Sequence, residues 1–179
     1  MGMSFYIAQV IGALTTVTVV VAAQLKNMKY ILWCQIAANL LVAVSSAMLG
    51  GLSGAWICAV AAVQTVALYY LDKRGISEKA KNWLLVLFAA MYVGGTVFVY
   101  QGWGDVVSCA GALLYLLAIV QKQSSKYRRY ICLNTLLWLV YDLTILAFGN
   151  MITHGVEFVS AVVGILRLDI KKEKTEAAD

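Results

Sequence analysis

The chain has 179 residues, 62% of them apolar, with fourteen Lys and Arg, nine Asp and Glu, one His and no Pro. Only 13% of its side chains are charged and its mean hydropathy is +0.81, which leaves too little polar surface to coat a soluble domain of this length. The net charge of +5 is no nucleic-acid signal, because the cations sit in short connections beside apolar runs, where they set membrane orientation.

Apolar runs of about 18 residues match the ~30 Å hydrocarbon core of a bilayer at 1.5 Å rise per residue. In lipid the backbone must satisfy its own hydrogen bonds, so such runs are read as helices. Seven spans are expected, at 4–23, 30–49, 54–71, 83–100, 105–121, 130–148 and 151–168. The first has no basic flank before it and reads as an N-out anchor, not a cleaved signal peptide. Between spans two and three, Gly50-Gly51-Leu52-Ser53-Gly54 predicts a tight hairpin, and Gly149-Asn150 predicts another between six and seven. Gly94-Gly95 in span four predicts a close helix contact. Tyr6, Tyr30, Trp83, Tyr100, Trp103 and Tyr130 near span ends form the expected interfacial belt.

The cations are segregated. Lys26 and Lys29, then Lys73, Arg74, Lys79 and Lys81, then Lys122, Lys126, Arg128 and Arg129 occupy alternate connections. Arg167, Lys171, Lys172 and Lys174 close the chain, whereas the other three connections have none. The positive-inside rule then puts the N-terminus outside and the C-terminus in the cytoplasm. Arg167 is placed to snorkel to the headgroups. Cys34, Cys58, Cys109 and Cys132 lie inside spans without CxxC spacing and read as packing residues, so neither a metal, a disulfide nor a cofactor is expected.

Three spans on each side of a fourth suggest duplication in one orientation. A shift of 100 residues lays Lys26 on Lys126, Lys29 on Arg129, Tyr30 on Tyr130 and Ile31 on Ile131. The expected organisation is all-α: a triple-helix bundle over 1–74, a linker transmembrane helix over 75–103, a second bundle over 104–169 and a cytoplasmic tail over 170–179. This 3+1+3 parallel repeat is a known transporter plan, with solute handled between the halves.

Polar side chains inside spans are site candidates, because charged and amide groups in hydrocarbon are costly unless turned inward. Asp142 lies seven residues before Gly149 and Glu157 seven after Asn150, at similar depth on consecutive spans. Facing carboxylates cannot easily both ionise, so such a pair holds a proton. His154, three residues before Glu157, shares its helix face. Asp142, Glu157 and His154 are therefore candidates for proton coupling or an outer gate. In the plainer alternative, Asp142 bonds a hydroxyl such as Tyr141 or Thr144, and the other two line a wet vestibule. Asn39 and Gln64 fall near the midplane, Gln9 in the outer half, and Gln35 and Asn134 deeper. They suit either a hydrogen-bonding path for an uncharged or zwitterionic solute or interhelical bonds of ~1 kcal/mol each.

Three segments carry a family resemblance: Tyr6-Ile7-Ala8-Gln9-Val10-Ile11-Gly12, then Trp138-Leu139-Val140-Tyr141-Asp142, then Gly155 with Gly164-Ile165-Leu166-Arg167-Leu168-Asp169. Together they resemble the YgjV family of bacterial inner-membrane proteins, over nearly the whole chain. That family is similar in plan to the SWEET and PQ-loop group of small-solute transporters. The resemblance implies a seven-helix 3+1+3 fold in a bacterial inner membrane. It also implies solute contacts from the third helix of each half, at 60–64 and 160–164, hence from Gln64 and Ser160. The Pro-Gln hinge of the PQ-loop group is missing, so gating by a proline kink is not implied. The expected function is transport of a sugar, vitamin or similar metabolite through a lipid-embedded monomer or homo-oligomer, with Asn39, Gln64 and Ser160 contacting solute. A non-transporting receptor or assembly factor is the alternative, and no enzyme motif is present.

Overall fold

The computed structural model describes residues 2–24, 28–75, 77–119, 121 and 123–169. Lys26, Lys122, Lys171, Lys172 and Lys174, with the tail over 170–179, lie outside the described residues. So does the side chain of Lys29. The described chain forms seven α-helices: α1 (Met3–Gln24), α2 (Met28–Met48), α3 (Leu52–Lys73), α4 (Glu78–Phe98), α5 (Trp103–Ile119), α6 (Ser124–Thr144) and α7 (Phe148–Gly164). A π-helical turn, Ile165–Asp169, extends α7.

Among the described residues, four segments are long and apolar enough to cross a membrane: Met3–Val21, Leu52–Leu71, Glu78–Phe98 and Phe148–Arg167. The apolar stretches of α2 and α5, Leu32–Met48 and Trp103–Ile119, are shorter, near the ~17-residue minimum for a span. Helix α6 stands apart because Lys126, Arg128 and Arg129 occupy its first turns and Asn134, Thr135 and Asp142 its buried face.

Burial is inverted relative to a soluble protein. Thr15, Ser45, Ser46, Ser53, Gln64 and Thr135 are buried, while Val10, Leu14, Val17, Trp83, Val97 and Phe98 face outward. Apolar surface of that extent is costly in water and costs nothing against lipid tails. The core gathers Val42, Ile57, Phe88, Tyr92, Leu116, Trp138 and Tyr141. Helix α4 buries only Phe88, Tyr92 and Thr96, one narrow face at four-residue spacing. Helix α5 buries Gly104, Ser108, Gly111 and Ala112, small residues that let backbones approach.

Neighbours in sequence pack together through α1–α2–α3 and through α5–α6–α7. The two runs join where α3 meets α5 and where α7 meets α1, and α4 packs against α3 and α5.

The hairpins follow backbone hydrogen bonding more closely than glycine position. Helix α2 ends in a Schellman motif: Gly50, at φ 84°, donates to Ala47 O and Gly51 donates to Ser46 O. Helix α6 ends the same way, with Leu146 donating to Leu143 O and Ala147 to Asp142 O. Here the left-handed position belongs to Leu146, at φ 55°, where glycine is usual. The turn therefore precedes Gly149 and Asn150, which lie in the first turn of α7. Of the Gly94-Gly95 pair, Gly95 packs under the Trp56 indole, whereas Gly94 faces open space.

Candidate functional site

Helices α6 and α7 are antiparallel neighbours, and the Schellman turn between them fixes their register. That register joins Asp142 to His154: the carboxylate Oδ2 and imidazole Nδ1 lie 2.6 Å apart. The partner of Asp142 is thus the histidine, and the expected close pair with Glu157 is not what forms. The hydroxyl bond of the plainer alternative does not form either. The Tyr141 hydroxyl accepts from the Gly54 N–H at 2.9 Å, and the Thr144 hydroxyl donates to the Tyr141 carbonyl at 2.6 Å.

Trp138, one turn before Asp142 on α6, stacks on the imidazole with centroids 5.6 Å apart and planes 26° from parallel. The ring of His154 is held at one nitrogen and on one face. Asp142 is completely buried, and among the described residues its Oδ1 has no partner within ordinary hydrogen-bond geometry. Asn150 is a polar neighbour of this carboxylate, and its own amide donates to Ser46 Oγ at 3.4 Å.

A cavity of about 690 Å³ opens beneath this pair, lined by six helices and by Tyr92 of α4. It runs from Thr153 and His154 to Arg128 and Gly164 at the basic end. Asn39, His154, Glu157 and Ser160 all line it, as do Gln35 and Asn134. Two candidates stand back from it. Asp142 sits behind His154, and Gln64 is buried with its Oε1 accepting from the Tyr92 hydroxyl at 2.5 Å. Tyr92 lines the cavity in place of Gln64.

At the opposite end the helices close. The two ends of the Gln9 amide clamp the α6–α7 turn, donating to Leu146 O at 2.7 Å and accepting from the Gly149 N–H at 2.8 Å. Ser45 donates to Ala8 O at 2.9 Å, and the Thr16 and Thr153 hydroxyls meet at 2.7 Å. Gly12 and Gly149 make this closure tight. A Cβ on Gly149 would fall on the Gln9 carbonyl, and one on Gly12 on the Asn150 amide oxygen.

Asp105, another carboxylate of the cation-free end, has a local task. Its Oδ2 accepts from the backbone N–H groups of Gln101 and Gly102 at 2.6 and 2.9 Å, capping α5, and Ser53 donates to its Oδ1. Sequence reasoning missed Trp138 and Arg128 as parts of the cavity. Trp138 had a signal, since it precedes Asp142 by four residues and shares its helix face. Arg128 had none beyond its place among the orienting cations.

Residues 6–172 match the family model Imp-YgjV, described as a bacterial inner membrane protein. No curated protein and no solved structure matched the chain.

Proposed function

The chain belongs to the Imp-YgjV family of bacterial inner-membrane proteins, and on that premise we propose that it carries a small polar solute across the inner membrane. The observation behind this reading is the cavity of about 690 Å³, which a single chain lines with amides, hydroxyls, His154 and Glu157. A lipid-embedded protein has no packing reason to keep so many polar groups around a cavity, because polar groups in hydrocarbon are costly unless functional or satisfied.

Transport works by rocking two triple-helix halves, with α4 as the linker. Exchanging α1 with α5, α2 with α6 and α3 with α7 maps the packing order onto itself, which supports this plan. The cavity reaches the basic end, which the positive-inside rule makes cytoplasmic, with the N-terminus outside. Asn39 and Ser160 contact solute directly, and Gln64 acts through Tyr92. Asp142 and His154 hold one proton between them at the closed end of the cavity, and Glu157 stands one helical turn below. Binding and release of that proton couples to opening of the outer seam. No step of this scheme is enzymatic.

The test is solute uptake into proteoliposomes across a pH gradient. Asp142→Asn is expected to remove the pH dependence of uptake. Uptake with unchanged rate and pH dependence would overturn the coupling role. Absence of uptake of any solute, together with a stable co-purifying protein, would favour the receptor or assembly-factor alternative.

A further inference from the structure

The transport reading leaves the solute open, and one side chain of the cavity narrows it. Among the described residues, Glu157 is the one carboxylate that lines the cavity. It has no hydrogen-bond or ion-pair partner among them, and the one charge that acts on it is that of His154, a turn earlier on α7. The cationic groups of the cavity are already engaged. His154 is joined to Asp142 at 2.6 Å. Arg128, at the basic end against Gly164, has its partner within the protein. Ser160, three residues after Glu157 on the same helix face, and Asn39 of α2 add neutral acceptor oxygens to the lining. Val19, Val42, Ile57 and Ile131 give the same cavity hydrocarbon walls.

We propose that the solute is a small organic monocation, a primary amine on a compact apolar body, with its ammonium group paired to Glu157. This assignment rests on the transport reading and names its substrate class. A solute that enters the cavity takes hydration from the Glu157 carboxylate, and an opposite charge is what offsets that loss. A sugar brings hydroxyl groups alone, and an anion adds repulsion. An amino acid brings a carboxylate of its own, which meets cations already engaged within the protein. A primary ammonium has three N–H donors, one for Glu157 and the others for neutral oxygens such as those of Ser160 and Asn39. A divalent metal ion is the poorer match. Such ions take several oxygen ligands at about 2.0–2.6 Å, and the described residues hold no group of three His, Cys, Asp or Glu suited to one.

Equilibrium binding to the purified full chain in detergent tests this, by titration calorimetry and thermal shift at neutral pH. The probes are isoamylamine and phenethylamine, each beside the alcohol of the same skeleton and the amino acid it derives from, leucine or phenylalanine. Titration into detergent alone subtracts partitioning into the micelle. A bound probe raises apparent stability in proportion to the logarithm of its occupancy term. Each amine is expected to bind about tenfold or more tightly than its alcohol, the worth of one charge-assisted contact, and more tightly than its amino acid. Glu157→Gln should erase the difference between amine and alcohol, and Glu157→Asp, which keeps the charge, should retain it. If Glu157→Gln does not fold, the native ranking and Glu157→Asp decide. Amines and alcohols bound alike by the native chain would overturn the assignment. So would an amine preference that survives Glu157→Gln, an amino acid bound best, or failure of both amines to bind. Amine binding without amine counterflow in vesicles would overturn transport and leave the assignment standing. Counterflow of a sugar with no amine binding would do the reverse.

Discussion

At the residue scale, two acidic side chains that look alike in the sequence do different work. Asp105 and Glu157 both lie toward the cation-free half of the chain. Asp105 is spent on the backbone, its oxygens accepting from Gln101, Gly102 and Ser53. Glu157 lines the cavity. Asp105→Ala should therefore cost about 1–2 kcal/mol of stability, as loss of a helix cap does, and leave solute binding unchanged. Thermal unfolding with and without ligand checks both halves of that statement. A sequence read one residue at a time shows where a carboxylate lies along a span. It does not show whether a chain reversal three or four residues earlier presents N–H groups to it. Asp142 was legible as an inward-turned carboxylate, and it is buried, but its partner was not legible. Which of His154 and Glu157 it meets depends on the register of α6 against α7, and that is set at the turn.

At the scale of elements, the turn is where sequence signals were weakest. Gly50 marks the end of α2 because it supplies the left-handed conformation that the motif needs. The equivalent position of α6 is Leu146, and nothing in a leucine announces a positive φ. Gly149 and Asn150 drew the predicted turn two to three residues too late. Gly149 is instead a contact surface for α1. Gly149→Ala should drive α1 from α7 and destabilise by about 1–3 kcal/mol, the usual cost of overpacking. Gly155, one turn and a half further on, faces open space. Gly155→Ala should be neutral or stabilise by about 0.5–1 kcal/mol through reduced backbone entropy. Paired melting curves of the two variants in detergent test the contrast, and equal effects would deny Gly149 its contact role.

At the scale of the whole molecule, the helix count and the alternation of cation-rich connections were legible in the sequence, because hydropathy and charge act along the chain. The cavity was legible only in part. Asn39, Ser160, His154 and Glu157 come together in it, while Gln64 turns to Tyr92 and Arg128 enters from the basic end. Those assignments depend on contacts among seven helices, which no spacing along one helix encodes. The transport scheme requires the seam between α1 and α7 to part. A short thiol cross-linker between Gln9→Cys and Leu146→Cys, in a background with the four native cysteines replaced, should stop uptake. Reduction should restore it. Uptake that survives complete cross-linking would place the moving seam elsewhere.

The same seam bears on how the protein is made. Gln9 and Thr16 find partners 137 residues later, at Leu146 and Thr153. The ring of helices is closed where α7 packs on α1. Until α7 is inserted, the Thr16 hydroxyl lacks Thr153 and the Gln9 amide oxygen lacks the Gly149 N–H, and each unsatisfied polar group in hydrocarbon costs several kcal/mol. Helix α1 must therefore be kept near the insertion site, or near water, until α7 follows it into the bilayer. A chain halted before α7 is an unclosed molecule, exposing to quality-control proteases the surface that the finished protein hides.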